Sequence, residues 1–191
     1  MSFEFDDLSD ASSDTVAAGN RSLGLRERCQ RMELLVLDVD GVLTDGVIAL
    51  DDRGIELKRF SVRDGAGISY WRKAGGKVAI LSGRRSRAVD LRAAELGITP
   101  VIQGAKAKLE PFLGLLEDLG IPAERTVYMG DDLADLPPMG LAGLAACPSD
   151  AAAEVIRAAD HVTRAPGGRG AVRELVEFLL DARGGWPPRD A

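Results

Sequence analysis

Short apolar runs that alternate with helix-forming segments constrain this chain more than any other feature of its sequence. Four such runs begin at Leu34, Val78, Val101 and Thr126. Each is short and continuous, which is typical of a strand that is buried on both faces of a parallel sheet. The clearest intervening segment has apolar residues at helical spacing from Leu109 and ends at Gly120. The alternation predicts an α/β fold, a doubly wound parallel sheet built from βαβ units.

Residues 47–60 interrupt this alternation. Two β-forming stretches, residues 47–50 and 55–60, flank a polar turn that contains Gly54. The pattern predicts a β-hairpin directly after the first strand, where a plain βαβ unit would place a helix.

The distribution of charge bears on partners and on domain boundaries. The 191-residue chain has a formal net charge of −6, and residues 1–20 contribute −5 because they hold five acids and no Lys or Arg. An acidic chain argues against nucleic-acid binding, which needs a basic face. No apolar run approaches the roughly 20 residues that span a bilayer, so we expect a cytoplasmic protein with no membrane partner. We also expect an acidic, disordered extension over residues 1–25, one folded domain over 26–183 and a tail over 184–191.

Two acidic clusters follow predicted strands. Asp38 and Asp40 end the first strand, while Asp131 and Asp132 follow the strand at Thr126, with Asp135 one helical turn further on. Carboxylates gathered at one edge of a sheet repel one another unless a cation compensates, and Mg²⁺ is the natural hard cation for oxygen ligands. Either cluster alone also fits a solvated turn or a helix cap. Two clusters at the ends of two parallel strands favour a divalent metal site.

Two further strand ends offer groups that suit a phosphoryl group. Ser82 follows the second strand and provides a hydroxyl near backbone N–H groups at a predicted helix start. Lys106 and Lys108 follow the third strand, and a lysine at a helix N-terminus opposes the helix dipole, so one there needs a reason. Each group also has a simpler explanation, since serine is a common helix cap and lysines are commonly solvated.

In chain order, the four strand ends carry an Asp pair, a Ser, a Lys and a second Asp pair. This order resembles the four motifs of the haloacid dehalogenase superfamily of aspartyl-phosphate phosphatases, over residues 33–180. A narrower resemblance links the chain to the 3-deoxy-D-manno-octulosonate 8-phosphate phosphatase family. The stretches that carry it are residues 40–46, 62–65, 103–104, 130–133 and 167–174. The resemblance implies a capless Rossmann-like domain, Mg²⁺ as cofactor, a homotetramer, and a phosphorylated keto-deoxy sugar acid of the lipopolysaccharide pathway as substrate.

The resemblance and the chemistry of the residues together imply a role for each motif position. Asp38 would be the nucleophile that forms an aspartyl-phosphate. Asp40 would protonate the leaving sugar oxygen and then activate the hydrolytic water. Mg²⁺ would be held by Asp38, the backbone carbonyl of Asp40 and Asp131. Ser82 and Lys108 would bind the phosphoryl oxygens, and the family spacing selects Lys108 over its neighbouring lysine.

Other polar residues would support the site or read the substrate. Asp132 and Asp135 are expected behind the metal ligands, where they would orient waters or the catalytic lysine. The substrate has a carboxylate, which a guanidinium can bind with two parallel hydrogen bonds. Besides Asp40, the candidate substrate-binding residues are Arg63, Arg84, Arg92 and Arg169.

The spacing of the motifs leaves no room for a separate lid domain. Asp40 and Ser82 are 42 positions apart, and the next two motif intervals, which end at Lys108 and Asp131, are 26 and 23. The first interval holds the hairpin and one helix, and the others hold about one helix and one strand each. An open site and an apolar hairpin face both need cover, and the resemblance implies a homotetramer built around the hairpins.

Several alternatives stay open at this point. Related phosphatases for nine-carbon keto-deoxy sugar acid phosphates are also similar, but some have an acid where this chain has Arg84, which favours the eight-carbon substrate. A non-catalytic tetramerisation module is a second alternative, and the intact residues Asp38, Asp40, Lys108 and Asp131 argue against it. A receiver-type signalling module would carry its acceptor aspartate alone on a middle strand, and a phosphomutase would need a lid.

Overall fold

The computed structural model describes residues 23–187. The main sheet contains β1 (Leu34–Leu37), β4 (Lys77–Ser82), β5 (Val101–Gln103), β6 (Thr126–Met129), β7 (Leu144–Cys147) and β8 (His161–Val162), and a hairpin contains β2 (Ala49–Leu50) and β3 (Glu56–Leu57). The helices are α1 (Leu25–Arg31), α2 (Val62–Lys73), α3 (Arg87–Leu96), α4 (Leu109–Leu119), α5 (Leu136–Leu141), α6 (Ala153–Ala158) and α7 (Ala171–Ala182). Short 3₁₀ turns at Ala123–Arg125 and Leu133–Asp135 flank β6.

The six-stranded sheet is parallel throughout, and its strand order is β5-β4-β1-β6-β7-β8. β1 lies inside the sheet, where Leu34 pairs with Lys77 of β4 on one side and with Thr126 of β6 on the other. The chain therefore winds outward from β1 in one direction through β4 and β5, and then in the other through β6, β7 and β8. This confirms the doubly wound α/β fold expected from the alternating pattern.

Alternating side chains of the strands build a core on each face of the sheet. In β1, Leu35 and Leu37 belong to a core with α1, α2, α3 and α7, while Leu34 and Val36 belong to a core with α4, α5 and α6. Burial on both faces explains why the strand sequences are continuously apolar. The charged residues of the strands therefore lie at the strand ends.

The hairpin forms where the sequence predicts it, although its paired strands have only two residues each. No segment between residues 23 and 187 forms a separate cap domain, in agreement with the spacing of the motifs. None of the helices in this described part of the chain is long and apolar enough to cross a membrane.

The two ends of the domain contact the same helix layer. α1 begins at Leu25, and Gln30 donates a side-chain hydrogen bond to the carbonyl of Ala182 in α7 at 2.9 Å. At the other end, Trp186 packs edge-on against Tyr70 of α2, with ring centroids 5.8 Å apart. Trp186, which lies in the predicted tail from residue 184, therefore packs on the domain. Most of the predicted extension, residues 1–22, and residues 188–191 lie outside the described residues.

Candidate active site

The candidate site lies at the carboxyl edge of the sheet between β1 and β6. These adjacent strands lead to crossovers in opposite directions, and such a reversal opens a crevice outside the carboxyl ends of the strands. The N–H of Asp38 donates to the carbonyl of Met129 at 3.0 Å, which extends the pairing of the two strands by one residue. Asp38 and Asp131 therefore face the same crevice because the sheet holds their strands side by side.

Lys108 joins the two acidic clusters. Its ammonium lies 2.9 Å from Oδ2 of Asp38 and donates a hydrogen bond of 2.6 Å to Oδ1 of Asp135. The side chain is only 3% exposed, so the two carboxylates compensate a charge that burial alone would disfavour. The lysine occupies the N-cap position of α4. A cation there opposes the helix dipole, and its ion pairs with the two acids compensate for this unfavourable position.

Asp135 is fully buried and accepts hydrogen bonds on both oxygens. Oδ1 accepts from Lys108 and from the hydroxyl of Tyr128 at 2.7 Å, while Oδ2 accepts from the N–H groups of Asp131 and Asp132 at 3.2 and 3.3 Å. Asp132 caps the following 3₁₀ turn through the N–H of Leu133. The sequence predicts a supporting role for both acids, and these contacts place Asp135 behind Lys108 and Asp132 at the cap.

Burial and mutual repulsion perturb the titration of the acids. Burial, together with the charges of Asp38 and Asp135, raises the pKa of Asp131 to about 8. Burial and Asp135 also raise the pKa of Asp38, despite the opposing effect of Lys108. Burial would lower the pKa of Lys108, but the carboxylates of Asp38 and Asp135 outweigh it and raise that pKa. The cluster therefore holds more negative charge than one lysine balances.

The donor set fits a divalent cation. One oxygen from each of Asp38, Asp131 and Asp135 lies within 4.8 Å of the others. Oδ1 of Asp38 and Oδ1 of Asp131 are buried and accept no hydrogen bond from the protein, whereas both oxygens of Asp135 are occupied by donors. Asp38 and Asp131 are therefore the available ligands, and a hard cation such as Mg²⁺ matches their oxygen atoms.

A cleft of about 300 Å³ opens over these groups. Its lining includes Asp38, Asp40, Ser82, Lys108 and Asp131. The structure thus gathers all five residues that the sequence assigns to nucleophile, acid, phosphate binding and metal binding. Ser82 reaches the cleft as the last residue of β4 and is buried.

Sequence reasoning missed two charged residues that the hairpin brings into contact with the cleft residues Asp40 and Arg84. Lys58 contacts Oδ1 of Asp40 and lies 3.4 Å from Oε1 of Glu56, and Glu56 accepts a 2.6 Å hydrogen bond from Arg84. Nε of Arg84 lies 3.5 Å from Oδ2 of Asp40. The signal was present, because Glu56 and Lys58 alternate with apolar Ile55 and Leu57 and so define a polar face of the hairpin.

The four arginines that the sequence offers as substrate-binding residues do not lie together, and only one of them lines the cleft. Arg84 lines the cleft. Arg92 instead pairs with Glu95 on α3 and donates to the carbonyl of Ser61. Arg63 and Arg169 line a different cavity of about 370 Å³ near the start of α7. A substrate role for Arg63, Arg92 and Arg169 stays a prediction, since the cleft of one chain does not include them.

Glycines allow two loops to close against the site. Gly41 has φ of 86°, and a Cβ there would overlap the carboxylate of Asp131. A Cβ on Gly167 or Gly168 would overlap the backbone of the loop at Gly41 and Thr44. The Gly-rich stretch near residue 167 therefore needs glycine because it packs directly against the loop that follows Asp38.

A capless parallel sheet with an aspartate cluster and a lysine at its switch point is the arrangement of an aspartate-dependent hydrolase. A family model described as haloacid dehalogenase-like hydrolase matches residues 55–143. The 3-deoxy-D-manno-octulosonate 8-phosphate phosphatase KdsC of Escherichia coli strain K12 is 48% identical over 157 residues, which cover 82% of this chain and 84% of that protein. The chain belongs to the KdsC family of haloacid dehalogenase-like hydrolases.

Solved structures agree with this assignment. The phosphatase of the same description from Yersinia pestis superposes with a TM-score of 0.82 at 42% identity, covering 84% of this chain and 86% of that one. The enzyme from Moraxella catarrhalis, in complex with magnesium, phosphate and a KDO molecule, also gives 0.82, at 38% identity and with coverages of 84% and 92%.

Proposed function

We propose that this protein hydrolyses 3-deoxy-D-manno-octulosonate 8-phosphate to the free sugar acid and inorganic phosphate, with Mg²⁺ as cofactor. The observation that carries the proposal is the buried Asp38, which faces the cleft with one oxygen free of hydrogen bonds and the other 2.9 Å from Lys108. The relationship to phosphatases of this substrate at 48% identity supports the choice of substrate.

Asp38 is the proposed nucleophile. Its carboxylate attacks phosphorus in line, a new bond forms between Oδ and phosphorus, and the bond from phosphorus to the sugar oxygen breaks. Lys108 orients the carboxylate and favours its ionised form, since its ammonium contacts Oδ2. In the same step Asp40 gives its proton to the leaving sugar oxygen, because an alkoxide is a poor leaving group.

The second step releases phosphate. Asp40, now ionised, accepts a proton from a water molecule as that water attacks phosphorus, and the bond to Asp38 breaks. Ser82 and Lys108 bind the phosphoryl oxygens throughout, because both are buried side chains that line the cleft. Asp38, Asp131 and the carbonyl of Asp40 would hold Mg²⁺, which when bound neutralises charge on the phosphoryl group.

The proposal includes a homotetramer in the cytoplasm. The hairpin exposes five apolar side chains: Val47, Ile48, Leu50, Ile55 and Leu57, each more than half exposed. A concentration of exposed apolar side chains on one short hairpin is typical of a surface that another chain covers. The two cysteines of the described domain, Cys29 and Cys147, are free and buried, which fits a reducing compartment.

Phosphate release across a panel of sugar phosphates tests the substrate. We expect the eight-carbon keto-deoxy acid phosphate to have a kcat/KM well above that of the nine-carbon analogue and of simple hexose phosphates. EDTA should abolish the activity and Mg²⁺ should restore it. Preference for the nine-carbon substrate would reassign the enzyme within the same chemistry, and absence of turnover with every substrate would favour a non-catalytic module.

A further inference from the structure

We propose that Lys58 is a positioning residue that holds the carboxyl group of Asp40 for proton transfer to the leaving oxygen. The proposal rests on the hydrolytic mechanism above. It assigns a catalytic purpose to the hairpin, which carries Lys58 just beyond β3.

The burial of Lys58 is the first observation. Its side chain is only 3% exposed, although the neighbouring Leu57 is 61% exposed. A buried ammonium is unfavourable unless paired charges and hydrogen bonds compensate. Its two acidic contacts are Asp40 and Glu56, so the hairpin directs a charged group inward while an apolar residue points outward.

The surroundings of Asp40 are the second observation. Within residues 23–187, its carboxylate contacts two cations, Lys58 through Oδ1 and Arg84 through Oδ2 at 3.5 Å. The Arg84 side chain is 47% exposed and has a shorter hydrogen bond to Glu56. Lys58 is therefore the buried partner of Asp40, whereas Arg84 is the exposed one and is held mainly by Glu56.

The buried partner matters because proton transfer needs close geometry. A general acid must lie within about 2.6–3.2 Å of the atom that it protonates, and small displacements of a reacting group reduce rates strongly. Loss of Lys58 should leave Asp40 present but misplaced. The defect should therefore appear only where the leaving oxygen needs a proton.

Two substrates separate this role from a merely structural one. A sugar phosphate releases an alkoxide, which needs protonation, whereas 4-nitrophenyl phosphate releases a phenolate that leaves readily without it. The quantity to compare is kcat/KM, because it reports steps up to departure of the leaving group and excludes the later hydrolysis, which both substrates share. Turnover of a sugar phosphate by the wild type tests the proposed function independently of the ratio between substrates.

We expect Lys58→Met to lower kcat/KM for the sugar phosphate at least tenfold, as part of the roughly 10²–10⁴ that general acids supply, and to change it less than about threefold for 4-nitrophenyl phosphate. Lys77→Met is the matched control, because Lys77 is exposed at the opposite end of the sheet. For Lys77→Met, the ratio of kcat/KM with the sugar phosphate to kcat/KM with 4-nitrophenyl phosphate should equal the ratio for the wild type.

A double-mutant cycle completes the test. If Lys58 acts through Asp40, adding Lys58→Met to an Asp40→Asn background should cause no further loss with the sugar phosphate. Lys58→Gln, which keeps a polar end on the side chain, should show the same selective loss if the methionine variant folds poorly. Equal losses with both substrates, additive losses in the cycle, or full activity of the single variants would each overturn the proposal.

Discussion

Asp135 supports the site through four hydrogen bonds, and this number allows a quantitative prediction for Asp135→Asn. An amide has one acceptor oxygen, while four donors converge on the carboxylate: Lys108, the Tyr128 hydroxyl and two backbone N–H groups. Its oxygen should stay toward the Lys108 ammonium, so its NH₂ group faces the backbone N–H groups of Asp131 and Asp132, which cannot accept. These two N–H donors lose their acceptor, at about 1–3 kcal/mol each.

The gross loss is then about 2–6 kcal/mol, from two unsatisfied donors. Neutralising Asp135 also relieves its repulsion of Asp38 and Asp131, which raises both of their pKa values in the wild type. This relief offsets part of the loss, so we expect a net decrease of about 2–4 kcal/mol in the free energy of unfolding. That is a large share of the roughly 5–15 kcal/mol that stabilises a typical protein.

Urea denaturation of the metal-free protein measures this difference. The matched control is Asp132→Asn, because Asp132 is exposed and caps a 3₁₀ turn, and asparagine is an equally good cap. The control should stay within about 0.5 kcal/mol of the wild type. If the two variants were equally stable, the account of Asp135 as the saturated acceptor of the site would be refuted.

Three further predictions address the metal, the oligomer and the Gly-rich loop. Burial and neighbouring acids raise the pKa of Asp131 to about 8, so Mg²⁺ must displace a proton when it binds. The affinity for Mg²⁺ measured by calorimetry should therefore rise from pH 6 to pH 8, with release of a proton on binding. An affinity that does not change with pH would contradict this. Leu50→Asp, at a residue 62% exposed on the hairpin, should reduce the oligomer measured by light scattering, and a wild type that is monomeric at micromolar concentration would contradict the proposed assembly. Asp64 accepts hydrogen bonds from the N–H groups of Gly170 and Arg173. Asp64→Ala should therefore cost about 2–6 kcal/mol in thermal unfolding measurements, at about 1–3 kcal/mol for each donor, whereas an unchanged stability would show that these contacts are dispensable.

The parts of the fold that follow from local pattern were predictable from the sequence. β1 is apolar and β6 is largely apolar, and both are buried at every position, because helices cover both faces of the sheet. Asp38 and Asp131 come directly after these strands, so their meeting follows from the parallel pairing alone. Gly120 ends α4 in the left-handed conformation, as its position after the periodic segment indicates.

The remaining parts of the site depend on packing between distant segments. Tyr128 lies in a buried strand, so its sequence position indicates a core residue and not that its hydroxyl donates a hydrogen bond to Asp135. The alternation in the hairpin indicates its polar face, but the contact of Lys58 with Asp40 depends on how the hairpin packs against the loop after β1. Arg63 near the start of α2 and Arg169 just before α7 line one cavity, and their separate positions in the sequence do not indicate that they lie together.

The proposed mechanism depends on Asp38 as the nucleophile of a Mg²⁺-dependent phosphatase. The decisive measurement is phosphate release from 3-deoxy-D-manno-octulosonate 8-phosphate by the wild type and by Asp38→Asn, at saturating Mg²⁺. Since the variant keeps the shape of the site but lacks the attacking carboxylate, we expect its kcat to fall by at least about 10⁴, as for other lost nucleophiles. Near-normal phosphate release by Asp38→Asn would contradict the account.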